Sequence, residues 1–346
     1  MSAPDATSSE PWPTITVVFL AYNRREHLRH SLTKTLRELD YDAEHLNVVV
    51  VDNASTDGTS AMLERDFPGV RVVQRASNSG VSGWNDGFAV ATGEYVLALD
   101  DDCHLPRDGL YQAVAQARRH RADLVSFGVV SAREETHRFD LHEYRTGLFS
   151  FWGCAVLMRR EALAALGGYD PEIFVWANEL ELMMRFFDRG YRHLHLPQVV
   201  AVHDKAPGDW RGGPIPERAY RVNFHNFGYV AAKLLRRRDA TEALIALLAR
   251  NMRDGWRMDP LAYTGMSDTL SGFRHGLRHR RPVRPAVSRA YRRDFVTFAS
   301  PWWLSRSVPE MIRDVIGPVR PRHGRRDRWL AERARFYPER LGVLEL

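Results

Sequence analysis

Tyr95-Val96-Leu97-Ala98-Leu99-Asp100-Asp101-Asp102 is the stretch on which the reading of this chain turns. The apolar run predicts a buried strand, and it leads straight into three carboxylates, with Cys103, His104 and Pro106 behind them. Carboxylates packed that closely repel one another unless a cation lies among them. Asp100 and Asp102 are one residue apart, so in extended chain their side chains share a face. Oxygen ligands at a strand end suit Mg²⁺ or Mn²⁺. The triplet reads as a metal site for a diphosphate, with a solvated acidic turn as the bland alternative; the surrounding motifs shift the balance.

Outward from this point the chain alternates strand and helix. Thr14 to Ala21 is apolar and β-branched, a buried strand, and Asn23 with Glu26 three residues on has the pattern of a capping box before a helix with Leu28, Leu32, Leu36 and Leu39 on one stripe. Asn47 to Val51 is a second strand ending at Asp52-Asn53. A turn at Ser55, Asp57 and Gly58 and a short helix with Met62, Leu63 and Phe67 precede a third strand, Val70 to Gln74. A Gly/Ser/Asn loop from Asn78 to Gly83 and a short helix from Trp84 to Ala91 then return the chain to Tyr95. This alternation predicts a mostly parallel sheet flanked by helices. Polar residues gather at the strand ends Ala21-Tyr22-Asn23, Asp52-Asn53 and Asp100 to Asp102, the edge where open α/β sheets bind ligands.

The same loops exclude rivals. No Gly-rich turn follows the first strand, so neither a dinucleotide fingerprint nor a P-loop is present. Phosphates must then be held by a cation or by arginines. A sugar-phosphate nucleotidyltransferase would show a Gly-rich loop there, and an Asp-nucleophile phosphatase places its acidic pair after the first strand, not the fourth.

Further on, Leu124 to Val130 is a strand and Arg133 to Arg145 a charged, irregular segment expected to close over the site. Phe149 to Ala155 leads into Val156-Leu157-Met158, and Arg160 to Leu166 is a short helix stopped by Gly167-Gly168. A helix from about Asn178 to Arg189 follows Phe174-Val175-Trp176, then short strands at Tyr191 to Leu196 and Val199 to Val202, closed by His203-Asp204. From about Pro207 a Gly/Pro linker gives way to an amphipathic helix through Tyr220, Phe224, Phe227, Ala231 and Leu234, then a second through Leu244, Leu247, Leu248 and Met252. The rest mixes Pro, Arg and Trp302-Trp303 and reads as helical and loop-rich.

At 346 residues the chain can hold one large or two ordinary domains, and 44% hydrophobic with 27% charged residues is a globular composition. The net charge of +6 is almost wholly arginine, since Lys34, Lys205 and Lys233 are the only lysines. The late basic runs, Arg274 to Arg293 and Arg320 to Arg328, form either a solvated face or a peripheral contact for an anionic membrane or acidic ligand. No motif points to nucleic acid. Two cysteines, Cys103 and Cys154, cannot build a disulfide framework, and no export signal or membrane-length apolar run is present, so a cytoplasmic setting is expected.

Five stretches taken together resemble the family 2 glycosyltransferases of the GT-A fold, inverting enzymes that use a nucleotide-sugar donor and a divalent metal. They are Val18 to Arg24; Val50 to Thr59; Asn78-Ser79-Gly80 through Asn85-Asp86-Gly87; Leu99 to Asp102; and Arg159-Arg160-Glu161 through Gly167-Gly168-Tyr169-Asp170 into Asn178-Glu179-Leu180-Glu181-Leu182. The resemblance runs from about Thr14 to Asp204. It implies an α/β GT-A domain over residues 14–206, after a disordered lead-in at 1–13 and before an Arg-rich, mainly helical region at 207–346.

Position by position, the resemblance implies that Ala21, Tyr22 and Asn23 line the nucleotide pocket and that Asp52 accepts hydrogen bonds from base or ribose, with a turn-forming role as the alternative. Asn78 and Asn85 would lie near the nucleotide. Asp100 to Asp102 match the DXD motif, Asp102 holding Mn²⁺ or Mg²⁺ with Asp100 and His203, while Asp101 belongs to the donor-binding set. Where the family commonly has Glu-Asp-x-Asp-Leu this chain has Asn178-Glu179-Leu180-Glu181-Leu182, so the resemblance implies Glu179, one methylene longer, as the base, with Glu181, which could instead favour the helix start, or neither residue as the alternatives. Trp152, Gly153 and Trp176 either wall the sugar and acceptor pocket or belong to the core. The implied partners are a nucleotide-diphosphate sugar donor and a glycan, lipid-linked or small-molecule acceptor. The rival classes are a non-catalytic GT-A-like binding module, favoured by the altered base motif, and a metal-dependent nucleotidyltransferase, which would release pyrophosphate.

Overall fold

Strand β1 (Ile15–Ala21) is buried on both sides because its side chains alternate between two cores: Ile15, Val17 and Phe19 pack into one, Val18 into the other. The computed structural model describes residues 11–131, 134–139, 150–204, 217–257, 261–299 and 343–344. Helix α1 (Arg25–Glu38), β2 (Leu46–Asp52), α2 (Thr59–Asp66), β3 (Arg71–Gln74), α3 (Trp84–Val90) and β4 (Tyr95–Asp100) follow in the expected alternation. β1 lies between β2 and β4, parallel to both, with Ala21 opposite Asp52 and Leu20 opposite Asp100. The register therefore brings the polar strand ends to one edge.

Beyond β4 the sheet becomes mixed. β5 (Cys103–His104), α4 (Gly109–His120), β6 (Leu124–Ser131), β7 (Glu134–Phe139), β8 (Ala155–Arg159), α5 (Arg160–Leu166), α6 (Asn178–Asp188) and β9 (His193–His203) complete this half of the chain. β8 sits between β4 and β6 and runs antiparallel to both, while β6 and β9 are parallel. Helices α7 (Glu217–Leu234), α8 (Arg237–Arg257), α9 (Leu261–Arg278) and α10 (Pro285–Ala299) come next, and a short β10 (Val343–Leu344) pairs with β9. The strand order is β10-β9-β6-β8-β4-β1-β2-β3, with β5 on β9 and β7 on β6. Helices α1, α2 and α4 cover one face; α3, α5, α6 and α7 cover the other, and α8 and α10 extend that second core. Among the described residues no helix is long and apolar enough to cross a membrane.

Several sequence expectations change. Asn23 does not cap α1: it takes a left-handed φ of 54°, and the free Arg25 N–H donates to Asp57 Oδ2 at 2.8 Å, so the cap comes from a neighbouring loop. The end of the supposed lead-in is tied down, since the Pro11 carbonyl accepts from Arg118 at 2.8 Å, the Trp12 ring lies 3.9 Å from that of Tyr111, and the Pro13 carbonyl accepts from Tyr41 at 2.6 Å; residues 1–10 lie outside the described residues. Within the supposed closing segment, Glu134–Phe139 is a strand antiparallel to β6, while 133 and 140–145 lie outside the described residues. The two short strands expected before His203 are one strand, β9, with a register shift opposite Phe127/Gly128. The Gly/Pro linker, Trp302-Trp303 and the run at 320–328 lie outside the described residues.

The C-terminal helices are joined to the sheet domain through buried charge. Lys233 on α7 donates to Asp170 at 2.6 Å and to Glu181 on α6 at 2.7 Å; Tyr229 donates to Asp170 at 2.7 Å, and Arg185 grips Glu181 at 2.6 Å. Burial alone would raise the Asp170 carboxyl, but the Lys233 hydrogen bond and charge, with Tyr229, draw it below the usual carboxylate range. Removing one partner of such a cluster strands the others without compensation. Lys233→Met should lower stability by about 3 kcal/mol, read as a fall in the urea midpoint. The folded protein holds Asp170 deprotonated at pH values where the unfolded chain has taken up a proton. Its contribution is thus complete above the unfolded pKa and lost as pH falls through the folded one, and Lys233→Met should flatten this acid limb of the stability profile.

Candidate active site

The carboxyl edge of the sheet opens into a cleft of about 530 Å³ whose walls come from the ends of β1 and β4, the turn before α6, and α7. β5 builds one wall. Cys103 pairs opposite His203, and the Asp204 N–H donates to the Asp102 carbonyl at 2.7 Å, so the end of β9 lies against the acidic triplet. His203 Nε2 then stands 2.9 Å from Asp102 Oδ1, and ligand atoms of Asp100, Asp102 and His203 all lie within 4.8 Å of one another. Two carboxylates and one imidazole converging on one point are a donor set that fits a divalent ion such as Mn²⁺.

The charges of this wall are set by burial. Desolvation pushes the Asp101 carboxyl well above the usual range, with Arg24 opposing and Asp102 and Asp100 reinforcing. Burial would lower the His203 imidazole, but Cys154, the hydrogen bond to Asp102 and the Asp102 and Asp100 charges outweigh it and raise it to about 9. The Arg24 guanidinium reaches Asp102 at 2.5 Å and Asp101 at 3.4 Å. A cation thus already faces the triplet from the chain itself, although nothing but its place after Tyr22-Asn23 marked Arg24 in the sequence.

On the opposite wall Glu179, half-buried at the start of α6, lies against Gly153; a Cβ on that glycine would fall 2.2 Å from Glu179 Oε1. Trp152, Trp176, Tyr169 and the exposed Phe174 line the space between. Burial, together with the Glu179 and Asp100 carboxylates, pushes the Tyr169 phenol well above its usual range, so this hydroxyl stays protonated between the two walls. From α7, Asn223 and Phe227 also reach the cleft.

Other expected site residues are placed elsewhere. Glu181 is fully buried and held by Arg185 and Lys233, so it has no access to an acceptor. Asp52 is also fully buried, its carboxylate accepting from the Ser55 N–H at 2.8 Å and Ser60 Oγ at 2.6 Å within the turn that follows β2. Asn85 clamps the chain after α5, exchanging hydrogen bonds of 2.8 Å with the Tyr169 backbone. Ala21 is buried, and the Asn23 side chain accepts from the Thr56 N–H at 2.7 Å, outside the cleft lining. Tyr22 and Asn78 do line it, joined by Asn53, whose amide donates to Asn78 at 2.9 Å and to the Gly80 carbonyl at 3.1 Å. The Asp52-Asn53 pair was visible in the sequence, but which member faces the cleft depends on the turn.

A mixed sheet of this order, flanked by helices and followed by a helical C-terminal region, is the α/β architecture of the GT-A class of fold. Residues 16–167 match the sequence model of Glycosyl transferase family 2. It is 27% identical over 212 residues to a beta-monoglucosyldiacylglycerol synthase of Synechocystis sp., covering 54% of this chain and 42% of that protein. It is 32% identical over 113 residues to the poly(ribitol-phosphate) beta-N-acetylglucosaminyltransferase TarS of Staphylococcus aureus, 32% of this chain and 20% of that one. The chain thus spans less than half the length of either relative. Among solved structures, the mannosyltransferase PcManGT from Pyrobaculum calidifontis, in complex with GDP-Man and Mn²⁺, superposes with a TM-score of 0.52 at 22% identity over 89% of this chain and 83% of that one, a likeness of fold.

The turn that carries Trp176 is strained, because Trp176 and Ala177 both take left-handed φ angles of 62° and 61°. Asn226 on α7 holds it, its amide donating to the Val175 and Trp176 carbonyls at 2.8 and 3.0 Å. Asn226→Ala should cost about 2 kcal/mol by urea denaturation. It should also speed proteolytic cleavage at residues 174–177 relative to the rest of the chain, as limited digestion and mass mapping would show.

Proposed function

We propose that the protein is an inverting glycosyltransferase that moves a sugar from a nucleotide-diphosphate donor to an acceptor hydroxyl by single displacement. The observation that carries this reading is the confrontation of Glu179 with the acidic triplet and His203 across one aromatic cleft. Asp100, Asp102 and His203 would hold a divalent ion, Mn²⁺ or Mg²⁺, which when bound offsets negative charge on the donor's diphosphate. Arg24 adds a fixed positive charge at the same edge. Trp152 and Trp176 offer flat apolar faces against which sugar rings pack and exclude water.

Glu179 takes the proton of the acceptor hydroxyl. The oxygen attacks the anomeric carbon from the face opposite the diphosphate, the bond from that carbon to the phosphate oxygen breaks with its electrons, and nucleoside diphosphate leaves. Attack from the far side inverts the anomeric configuration. By their names one relative makes a beta-monoglucosyldiacylglycerol and the other transfers N-acetylglucosamine to a poly(ribitol-phosphate), and a glycan, lipid-linked or small-molecule acceptor is proposed here. Two buried free cysteines beside the cleft, Cys103 and Cys154, suit a reducing, cytoplasmic setting, with the basic C-terminal region available to an anionic membrane face.

A thermal-shift panel of nucleotide-diphosphate sugars with Mn²⁺ identifies the donor, since a bound ligand raises the melting point by mass action. With that donor and an acceptor, Glu179→Gln and Asp102→Ala should each lower nucleoside diphosphate release at least about 100-fold while the circular dichroism spectrum is kept. Near-normal turnover by Glu179→Gln removes it as base, and release of pyrophosphate assigns the protein to nucleotidyl transfer. Gly153→Ala should displace only the flexible end of Glu179, leaving the melting temperature within a degree or so but lowering kcat by about 100-fold, the scale of a misplaced catalytic group.

A further inference from the structure

A second group of ligating side chains lies away from the cleft, where the C-terminal helices meet the turn that bears Trp176. Glu172 from that turn and His275 from α9 approach to 3.1 Å between Oε2 and Nε2. His279, one helical turn further on, brings its ring to 5.0 Å from that of His275, nearly perpendicular to it, and ligand atoms of all three residues lie within 4.8 Å of one another. His279 lies in the turn that ends α9, its N–H donating to the Gly276 carbonyl at 3.2 Å, and the spacing of four residues keeps its imidazole on the side of the helix that carries His275.

That face cannot swing away, because α9 is locked against α7 at backbone contact. A Cβ on Gly272 would fall 1.8 Å from the His225 carbonyl oxygen, and one on Gly276 would fall 2.2 Å from that of Tyr229. These two glycines bracket His275 and fix its direction. The Glu172 end is also held: its N–H donates to Asp170 Oδ1 at 3.1 Å, and Asp170 is anchored by Lys233 and Tyr229. Two imidazole nitrogens and one carboxylate oxygen, preorganised on two rigid elements and open to solvent, are a three-ligand set completed by water in zinc-type tetrahedral sites. The nitrogen majority separates it from the carboxylate-rich Asp100, Asp102 and His203 set.

We propose that Glu172, His275 and His279 form a structural site for a zinc-class transition-metal ion, which splints α9 to the 170–177 turn and so steadies the wall of the cleft. This site is independent of the transfer reaction and is tested without it. Full-length protein freed of metal with a chelator is titrated with zinc in the absence of nucleotide. Asp102→Ala is used as the background, so that the cleft site does not contribute.

In that background about one equivalent of zinc should bind by equilibrium dialysis and raise the melting temperature by several degrees. Adding His279→Ala should weaken binding at least tenfold and abolish the rise, with the metal-free melting temperature unchanged. Cobalt should give visible absorption of tetrahedral type that His279→Ala removes. His279→Gln gives the same reading if the alanine variant does not fold. Zinc binding that survives loss of His279, or no binding in the Asp102→Ala background, overturns the proposal and leaves Glu172 and His275 as an ion pair.

Discussion

Negative charge brought together at the buried end of β4 is the constraint that organises this molecule. Asp101 and Asp102 are 6% and 2% exposed, and Asp100 stands beside them. Two like charges about 4 Å apart repel by about 4 kcal/mol near a protein surface, a large part of the whole stability of an ordinary domain, about 5–15 kcal/mol. The fold tolerates this arrangement by raising the Asp101 carboxyl toward its neutral form and by placing Arg24 and His203 against Asp102. Each compensation needs a particular piece of architecture. Arg24 comes from the chain just past β1, and His203 arrives because β5 pairs with the end of β9. The sheet edge is accordingly built around a charge that its own strands would not otherwise support.

The other wall depends on a different constraint, the absence of side chains at close approaches. Gly80 has a φ of +62°, and a Cβ there would lie 1.9 Å from the Phe174 carbonyl oxygen, to which the next N–H, that of Val81, donates at 2.8 Å. The Asn78 to Gly83 loop and the turn before α6 therefore touch backbone to backbone. Asn226 grips the same turn from α7, so it is held from both sides in a conformation it would not choose alone. Helix α7 thus belongs to the cleft as much as α6 does, although the resemblance read from the sequence stopped at Asp204.

What was legible in the sequence was whatever depends on local pattern. β1, β2 and β4 read correctly because parallel strands covered on both faces are continuous apolar runs, and the acidic triplet was visible because its crowding is a fact of the covalent chain. What misled was polar chemistry with two local uses. Asn23 has the residue type of a cap, yet the cap comes from Asp57, brought close only by folding. Asp52 has the residue type of a ribose acceptor, and folding also gives its two oxygens partners in Ser55 and Ser60, which the sequence did not show. Asn226 left no trace at all, because nothing in its neighbourhood shows that it meets a turn fifty residues earlier.

The placement of Glu179 and Glu181 shows how such distant contacts decide which carboxylate meets the cleft. Two residues on a helix separate side chains by about 200°, so carboxylates at these positions of α6 face nearly opposite ways. One must enter the core when the other meets the cleft. Burying a carboxylate is costly unless it is paired and hydrogen-bonded, and Lys233 and Arg185 supply that pairing for Glu181. The C-terminal helix that carries Lys233 therefore fixes the rotation of α6, and through it the placement of Glu179 over Gly153. The longer side chain at 179 and the missing one at 153 are complementary, since the space that a Cβ at 153 would occupy is where the Glu179 carboxylate lies.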